Sequence, residues 1–145
     1  MSGGGPYPRK DHCPATQLGD GVFVEGYWFN ANLAATTCQY PMPLEVDQAT
    51  YDEVPKAEWR TRFREVLANL DVVCTTERYM GASRSRLTGE KIGNVEYTIV
   101  HKGTETWKFP EGLAHYYLDN RVLPSERFAE VIDATHAQLA PSVIK

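Results

Sequence analysis

Cysteine is scarce in this chain: three residues in 145, Cys13, Cys38 and Cys74, with no C-x-x-C among them. An odd, dispersed set argues against a disulfide framework, so each thiol is expected as a small buried hydrophobe in a reducing, cytoplasmic setting. His12 beside Cys13 lacks partners at ligand spacing, so neither a metal nor another cofactor is expected. Long apolar runs are also missing, which excludes a membrane-spanning helix of about 20 residues. The opening "MSGGGPYPRKDHCPATQ" has no apolar h-region, so no secretory signal is expected. Its Gly and Pro predict a flexible lead over residues 1–20, before a single domain over residues 21–145. Nor is there an excess of positive charge: 15 Lys and Arg against 19 Asp and Glu give −4. That balance argues against nonspecific nucleic-acid binding, which needs a basic surface.

Several catalytic signatures are absent. The four histidines, His12, His101, His115 and His136, are scattered, with no H-x-x-x-H or H-E-x-x-H pair to hold zinc. There is no G-x-x-x-x-G-K-[ST] phosphate loop and no G-x-S-x-G nucleophile elbow. Cys74 lies in an apolar stretch without the cationic neighbour that activates a thiol. Internal repeats are lacking too.

What the chain does contain is an alternation of strand and helix patterns. "GVFVEGYWFN" (Gly21 to Asn30) is aromatic and β-branched and predicts a strand with a bulge at Gly26. Pro41, Pro43 and Pro55 exclude long regular structure through the next segment. Trp59, Phe63, Val66, Leu67 and Leu70 then recur at helical spacing, with Asp52 as the expected cap and Pro55 in the first turn. Arg60, Arg62, Arg64 and Glu65 fall on its solvated face. "VVCTTERYM" (Val72 to Met80) predicts a strand, "GASRSRLTGEKIGN" a loop, and "VEYTIVH" a half-buried strand alternating Val95, Tyr97, Ile99 with Glu96, Thr98, Val100. "HKGTE" then "TWKF" predicts a hairpin. Pro110 is expected to open a helix to about Asn120, and a last helix carries Phe128, Val131, Ile132, Thr135 and Leu139 on one side. The sum is an α+β domain, a small mainly antiparallel sheet packed with about three helices.

Two stretches concentrate chemistry. In "TWKFPEGLAHYYLDN" a helix from Pro110 sets Glu111, His115 and Asp119 at i, i+4 and i+8 on one face. A carboxylate one turn from an imidazole suits either a general base or a surface charge ladder. Glu111 has a second use, complementing the helix N-terminus. Trp107 and Phe109 share a strand face and serve either as core or as the wall of a site. In "RYMGASRSRLTGEK", Arg78, Arg84, Arg86 and Lys91 come with Ser83, Ser85, Thr88 and two glycines, the donor types that bind phosphate or carboxylate. From Lys56 to Lys102 there are nine basic residues against six acidic, so this third is locally cationic. The loop and the helix are joined through a hairpin, and such short connections leave neighbours adjacent in space. Arg84 or Arg86 is therefore expected to face Glu111 and His115 across one cleft, as ligand groups or as a structural ion pair.

These residues resemble a family of small uncharacterised bacterial proteins with a C-R-x-C-G … N-G-x-x-E-Y … W-P-E-G-x-x-H-Y pattern. Matching positions are Arg86, Gly89, Gly93, Glu96, Tyr97, Trp107, Pro110, Glu111, Gly112, His115 and Tyr116. Ser85 and Thr88 stand where that pattern has its cysteines, Asn120 where a second His often sits, and Phe109 in place of the usual Trp. A metal or dithiol site therefore does not carry over. The resemblance supports the fold unit and implies no activity.

The expectation that follows is a cytoplasmic, non-catalytic protein that binds an anionic small molecule, nucleotide-like or a sugar phosphate, or else a protein partner. Its site would comprise Arg84, Ser85, Arg86, Glu111 and His115, walled by Trp107 and Tyr116. Two alternatives stay open. One is a metal-independent hydrolase or nuclease with His115 as base, Glu111 or Asp119 orienting it and Arg86 stabilising charge. The other is an assembly subunit, a homo-oligomer packing through Tyr27, Trp28 and Phe29.

Overall fold

The computed structural model describes residues 13–139. In chain order they form β1 (Ala15–Gly19), β2 (Val22–Glu25), a 3-10 turn (Ala31–Leu33), α1 (Ala34–Thr37), α2 (Gln48–Tyr51), α3 (Lys56–Leu67) and α4 (Leu70–Val73). Then follow β3 (Thr75–Arg84), β4 (Lys91–His101), β5 (Glu105–Pro110), α5 (Leu113–Leu118) and α6 (Glu126–Ala137). The sheet runs β1-β2-β5-β4-β3. Every neighbouring pair is antiparallel except β2 and β5, which are parallel. The expected α+β class is what the chain adopts.

The β4–β5 hairpin forms where "HKGTE" placed it. Lys102 (φ 56°) and Gly103 (φ 72°) both take the left-handed conformation that reverses the strand, and His101 ends opposite Glu105. Trp107 and Phe109 then point inward together, both fully buried. They meet Phe63 of α3, Tyr117 of α5 and Phe128 of α6 in an aromatic core. Phe128 stands edge-on to Phe109, centroids 5.3 Å apart, and to Phe63 at 6.2 Å. Such pairs add about 0.5–1.5 kcal/mol beyond the area they bury. The helical spacing holds in α3, where Trp59, Phe63 and Val66 are buried, and in α6, where Phe128, Val131, Ile132 and Thr135 are.

Glu25, at the end of β2, is fully buried, and its carboxylate locks three elements together. The Tyr117 hydroxyl donates to it, as do the Ser125 backbone N–H (2.9 Å) and the Ser125 hydroxyl (2.7 Å). Ser125 also caps α6, its Oγ accepting from Phe128 N. One carboxylate thereby fixes strand, α5 and α6 to each other.

Several expectations need correction. The strand expected over Gly21 to Asn30 stops at Glu25, because Gly26 (φ 83°) turns the chain away instead of bulging within it. Residues 15–19 form β1 and are not a loose lead, since they pair with β2; residues 1–12, His12 among them, lie outside the described residues. Asp52 does not cap α3. It closes α2, whose cap is Asp47, accepting from Thr50 N at 2.7 Å. Leu70 to Val73 are helical, and β3 instead runs on through Arg84, because its pairing with β4 extends to Arg84 opposite Lys91. The expected loop shrinks to residues 85–90. Pro110 ends β5, so α5 starts only at Leu113. Trp28 is buried, so it is not an exposed aromatic.

Candidate functional site

The loop and the histidine do meet, through a closed joint. Ser85, at the start of the 85–90 turn, is buried, and its Oγ accepts from Leu87 N and Thr88 N, both at 3.0 Å. His115 Nε2 lies 2.8 Å from the same Oγ and 3.3 Å from Asn120 Nδ2, while its Nδ1 is 3.6 Å from Glu90 Oε1. With two N–H groups already donating to Ser85 Oγ, its hydroxyl proton is best directed at Nε2. That leaves the proton of a neutral imidazole on Nδ1, facing Glu90.

The rest of the expected constellation disperses. Arg86 is tied into the fold: its N–H donates to the Tyr116 hydroxyl (2.8 Å), its Nε to Phe29 O (3.0 Å) and its Nη1 to Arg84 O (2.6 Å). Arg84 is exposed, and one nitrogen, Nη1, donates to Gly89 O at 3.0 Å. Glu111 precedes α5, so the helical spacing to His115 does not apply. Its Oε1 accepts from Asn94 N at 3.0 Å and sits where a side chain at Gly93 (φ 138°) would begin. Asp119 is exposed at the end of α5. Trp107 is sealed in the core, stacked on Phe23 with its Nε1 donating to Glu105, and so is not the wall of a site. Tyr116 is almost wholly buried, but it does line a cavity.

That cavity, about 90 Å³, is bordered by Arg84, Arg86, Tyr116, Tyr27, Trp28 and Tyr40. A second, of about 320 Å³, is bordered by Tyr79, Asn94 and Glu96. The two share Tyr27, Ser83 and Pro110, and thus form adjoining parts of one groove along β3 and β4. His115 and Glu111 border neither.

Glu96 is the residue that sequence reasoning placed on the wrong side. Strand alternation put it in water, yet it is buried beneath two tyrosines. The Tyr27 hydroxyl donates to Oε2 and the Tyr79 hydroxyl to Oε1, the latter at 2.9 Å. Hydrogen bonding to that carboxylate, ahead of burial and the Glu96 charge, pushes Tyr79 up to about 12. Burial, then the hydrogen bond and charge of Glu96, raises Tyr27 well above the ordinary tyrosine range. Tyr40, whose ring centroid is 5.9 Å from that of Tyr27, is raised chiefly by burial. No single motif signals this cluster, because Tyr27, Tyr79 and Glu96 come from three separate stretches; only the surplus of tyrosine hints at it.

The arrangement offers a guanidinium at one end, a tyrosine-clamped carboxylate at the other, and aromatic rings between. Among the described residues no group of three or more His, Cys, Asp or Glu is placed to hold a metal ion. No helix of the described residues is long and apolar enough to cross a membrane. Comparison with family models, curated proteins and solved structures finds no match to this chain.

Proposed function

We propose that this is a non-catalytic binding protein for a ring-bearing anion, nucleotide-like or a sugar phosphate, held in the β3–β4 groove. The observation that carries the reading is the pair of adjoining cavities that bring Arg84 and Glu96 to one surface around Tyr27. Arg84 takes the phosphate, since a guanidinium offers five donors and only one nitrogen here is engaged on Gly89. Sugar hydroxyls suit the other end, donating to Glu96 or to the Tyr79 hydroxyl oxygen, whose own proton is held by Glu96. The Tyr27 and Tyr40 rings suit a base or sugar face. Arg86 shapes the groove through the Phe29 carbonyl and is a scaffold more than a donor.

His115 has one ring nitrogen on Ser85 and the other facing Glu90, and it does not border the groove, so the hydrolase reading gains no specific observation. The test is thermal shift against nucleoside monophosphates and sugar phosphates, because a ligand that binds only the folded state raises the melting temperature. A hit is expected to survive incubation unchanged. Its affinity is expected to fall about 10- to 100-fold in Arg84→Ala, the worth of a charge-assisted pair, and to weaken in Glu96→Gln. Absence of any shift across the panel, or full affinity in Arg84→Ala, would overturn the reading.

A further inference from the structure

β3 is the last strand on one side of the sheet, so its outer backbone groups have no strand to bond. All ten of its residues are exposed, on both faces, although β4 beside it buries Val95, Glu96 and Ile99. Proteins usually blunt such an edge with Lys, Pro or a bulge. Here a bulge takes residues 79–82, between the Arg78–Val95 and Ser83–Gly93 pairs, and leaves Thr75–Arg78 in regular register.

The direction of each backbone group follows from β4. Val95 O accepts from Glu111 N, on the β5 side. Backbone groups alternate along an antiparallel ladder, so Glu96 turns to β3 and bonds Glu77, its partner in register. Pro110, which has no N–H to give, stands opposite Glu96 on the other side, as that alternation requires. Thr76 and Arg78 therefore point their N–H and C=O groups outward, where none of the described residues bonds them.

Side chains give this edge a charge pattern. Glu77 and Glu96 stand directly opposite on one face, a like-charge pairing that weakens a sheet. The Tyr79 hydroxyl lies 2.9 Å from Glu96 Oε1 and 3.3 Å from Glu77 Oε1, and its single proton goes to the nearer. No cation among the described residues forms an ion pair with Glu77. Arg78 projects from the opposite face, with a 3.3 Å contact from its Nη1 to Asn94 Oδ1.

A strand added here meets Glu77 on one face and Arg78 on the other, so neighbouring residues of opposite charge complement it. A second copy of this chain does not supply them. In a two-fold antiparallel pair the bonded residues must both point outward, so odd positions meet odd and even meet even. Glu77 then meets Thr75, Glu77, Tyr79, Gly81 or Ser83 of the other copy, none of them a cation. Arg78 meets Thr76, Arg78, Met80, Ala82 or Arg84, none of them an anion.

We propose that the outer edge of β3 at Thr75–Arg78 binds an extended peptide segment of another protein as an added antiparallel strand. An acidic residue of that segment lies against Arg78, and the basic residue after it lies against Glu77. The proposal does not rest on the groove.

The probe is an acetylated, amidated ten-residue Thr/Val peptide with Glu-Lys at its centre, and its neutral twin carries Gln-Gln there. Amide exchange of 15N-labelled protein is followed by NMR. In the free protein the Thr76 and Arg78 amides are expected to exchange faster than that of Glu77, which bonds β4. At saturation the peptide is expected to slow both at least about tenfold. The neutral twin is expected to bind at least about threefold more weakly, the worth of two cross-strand charge pairs. A peptide N-methylated at its Glu lacks the amide that bonds Arg78 O, and is expected to lose at least about tenfold. Thr76→Pro removes only an outward N–H, so it is expected to fold and to lose affinity likewise; should it not fold, the N-methylated peptide carries the same test. Unmoved Thr76 and Arg78 amides at millimolar peptide, equal affinity for the neutral twin, or full affinity of the N-methylated peptide would refute the proposal. So would a concentration-dependent dimer in ultracentrifugation that folded Thr76→Pro abolishes. Arg84→Ala, the groove variant, is expected to leave peptide binding unchanged, so the two sites fail separately.

Discussion

At the scale of single residues, the buried carboxylate of Glu25 and the Ser85–His115 joint dominate. Glu25→Ala removes one acceptor from the Tyr117 hydroxyl and from both the backbone and side chain of Ser125. Stripping partners from buried donors costs about 1–3 kcal/mol each, and relaxation makes a total of roughly 2–4 kcal/mol reasonable. The expected result is a melting temperature lower by roughly 6–15 °C. Tyr117→Phe removes just one of these donors and is expected to lower it by less. For His115, the hydrogen-bond pattern puts the proton on Nδ1, which 15N chemical shifts of the ring nitrogens check directly. Ser85→Ala takes away the partner of Nε2 and two backbone acceptor contacts, and is expected to cost about 1–3 kcal/mol in denaturant unfolding. Residue-scale roles were the least legible in the sequence. Glu96 looked like a wet strand position, and nothing local marks a carboxylate, there or at Glu25, that will find hydroxyl donors from distant segments.

At the scale of elements, the sequence was most readable where one face repeats. Trp59-Phe63-Val66 and Phe128-Val131-Ile132-Thr135 each form the buried stripe that their spacing implies, and "HKGTE" forms its hairpin. Reading failed where a partner strand overrode composition. β3 runs through residues that look like loop, since pairing with β4 satisfies backbone groups that a glycine- and serine-rich stretch would otherwise leave to water. It failed again at "FPEG", where Pro110 closes a strand instead of opening a helix. That three-residue shift detaches Glu111 from His115 and dissolves the expected acid–base pair. The loop–helix cleft was therefore half right: the two segments touch, but through a hydroxyl and an imidazole and not around a ligand. Ser125→Ala tests the element level. Loss of an N-cap costs about 0.5–2 kcal/mol, and the lost Glu25 bond adds to it, so destabilisation is expected to exceed that of Asp47→Ala at the exposed cap of α2.

At the scale of the whole molecule, tyrosine ionisation is the common thread. Tyr27, Tyr40, Tyr51, Tyr79, Tyr97, Tyr116 and Tyr117 are all raised in the folded chain, by burial in every case except Tyr79, where the Glu96 hydrogen bond leads. Unfolding returns them to their ordinary value near 10. Above that pH the unfolded chain binds fewer protons than the native one, so stability is full below about pH 10 and falls as pH rises toward 12. Denaturant midpoints across pH 8–11 are expected to be flat and then drop. Absorbance titration of native protein is expected to show most tyrosines ionising above 10. Conversely, Tyr27→Phe is expected to leave Glu96 one donor short and to soften the groove more than the core.

The parallel seam between β2 and β5 imposes an order on synthesis. Phe23 lies opposite Trp107, 84 residues further along the chain. At about 5–20 residues per second, the first hairpin emerges roughly 4–17 s before the strand it must lie beside, and a lone hairpin is barely stable in water. The nascent β1–β2 hairpin therefore waits, its β5-facing edge unpaired, until β5 has been made.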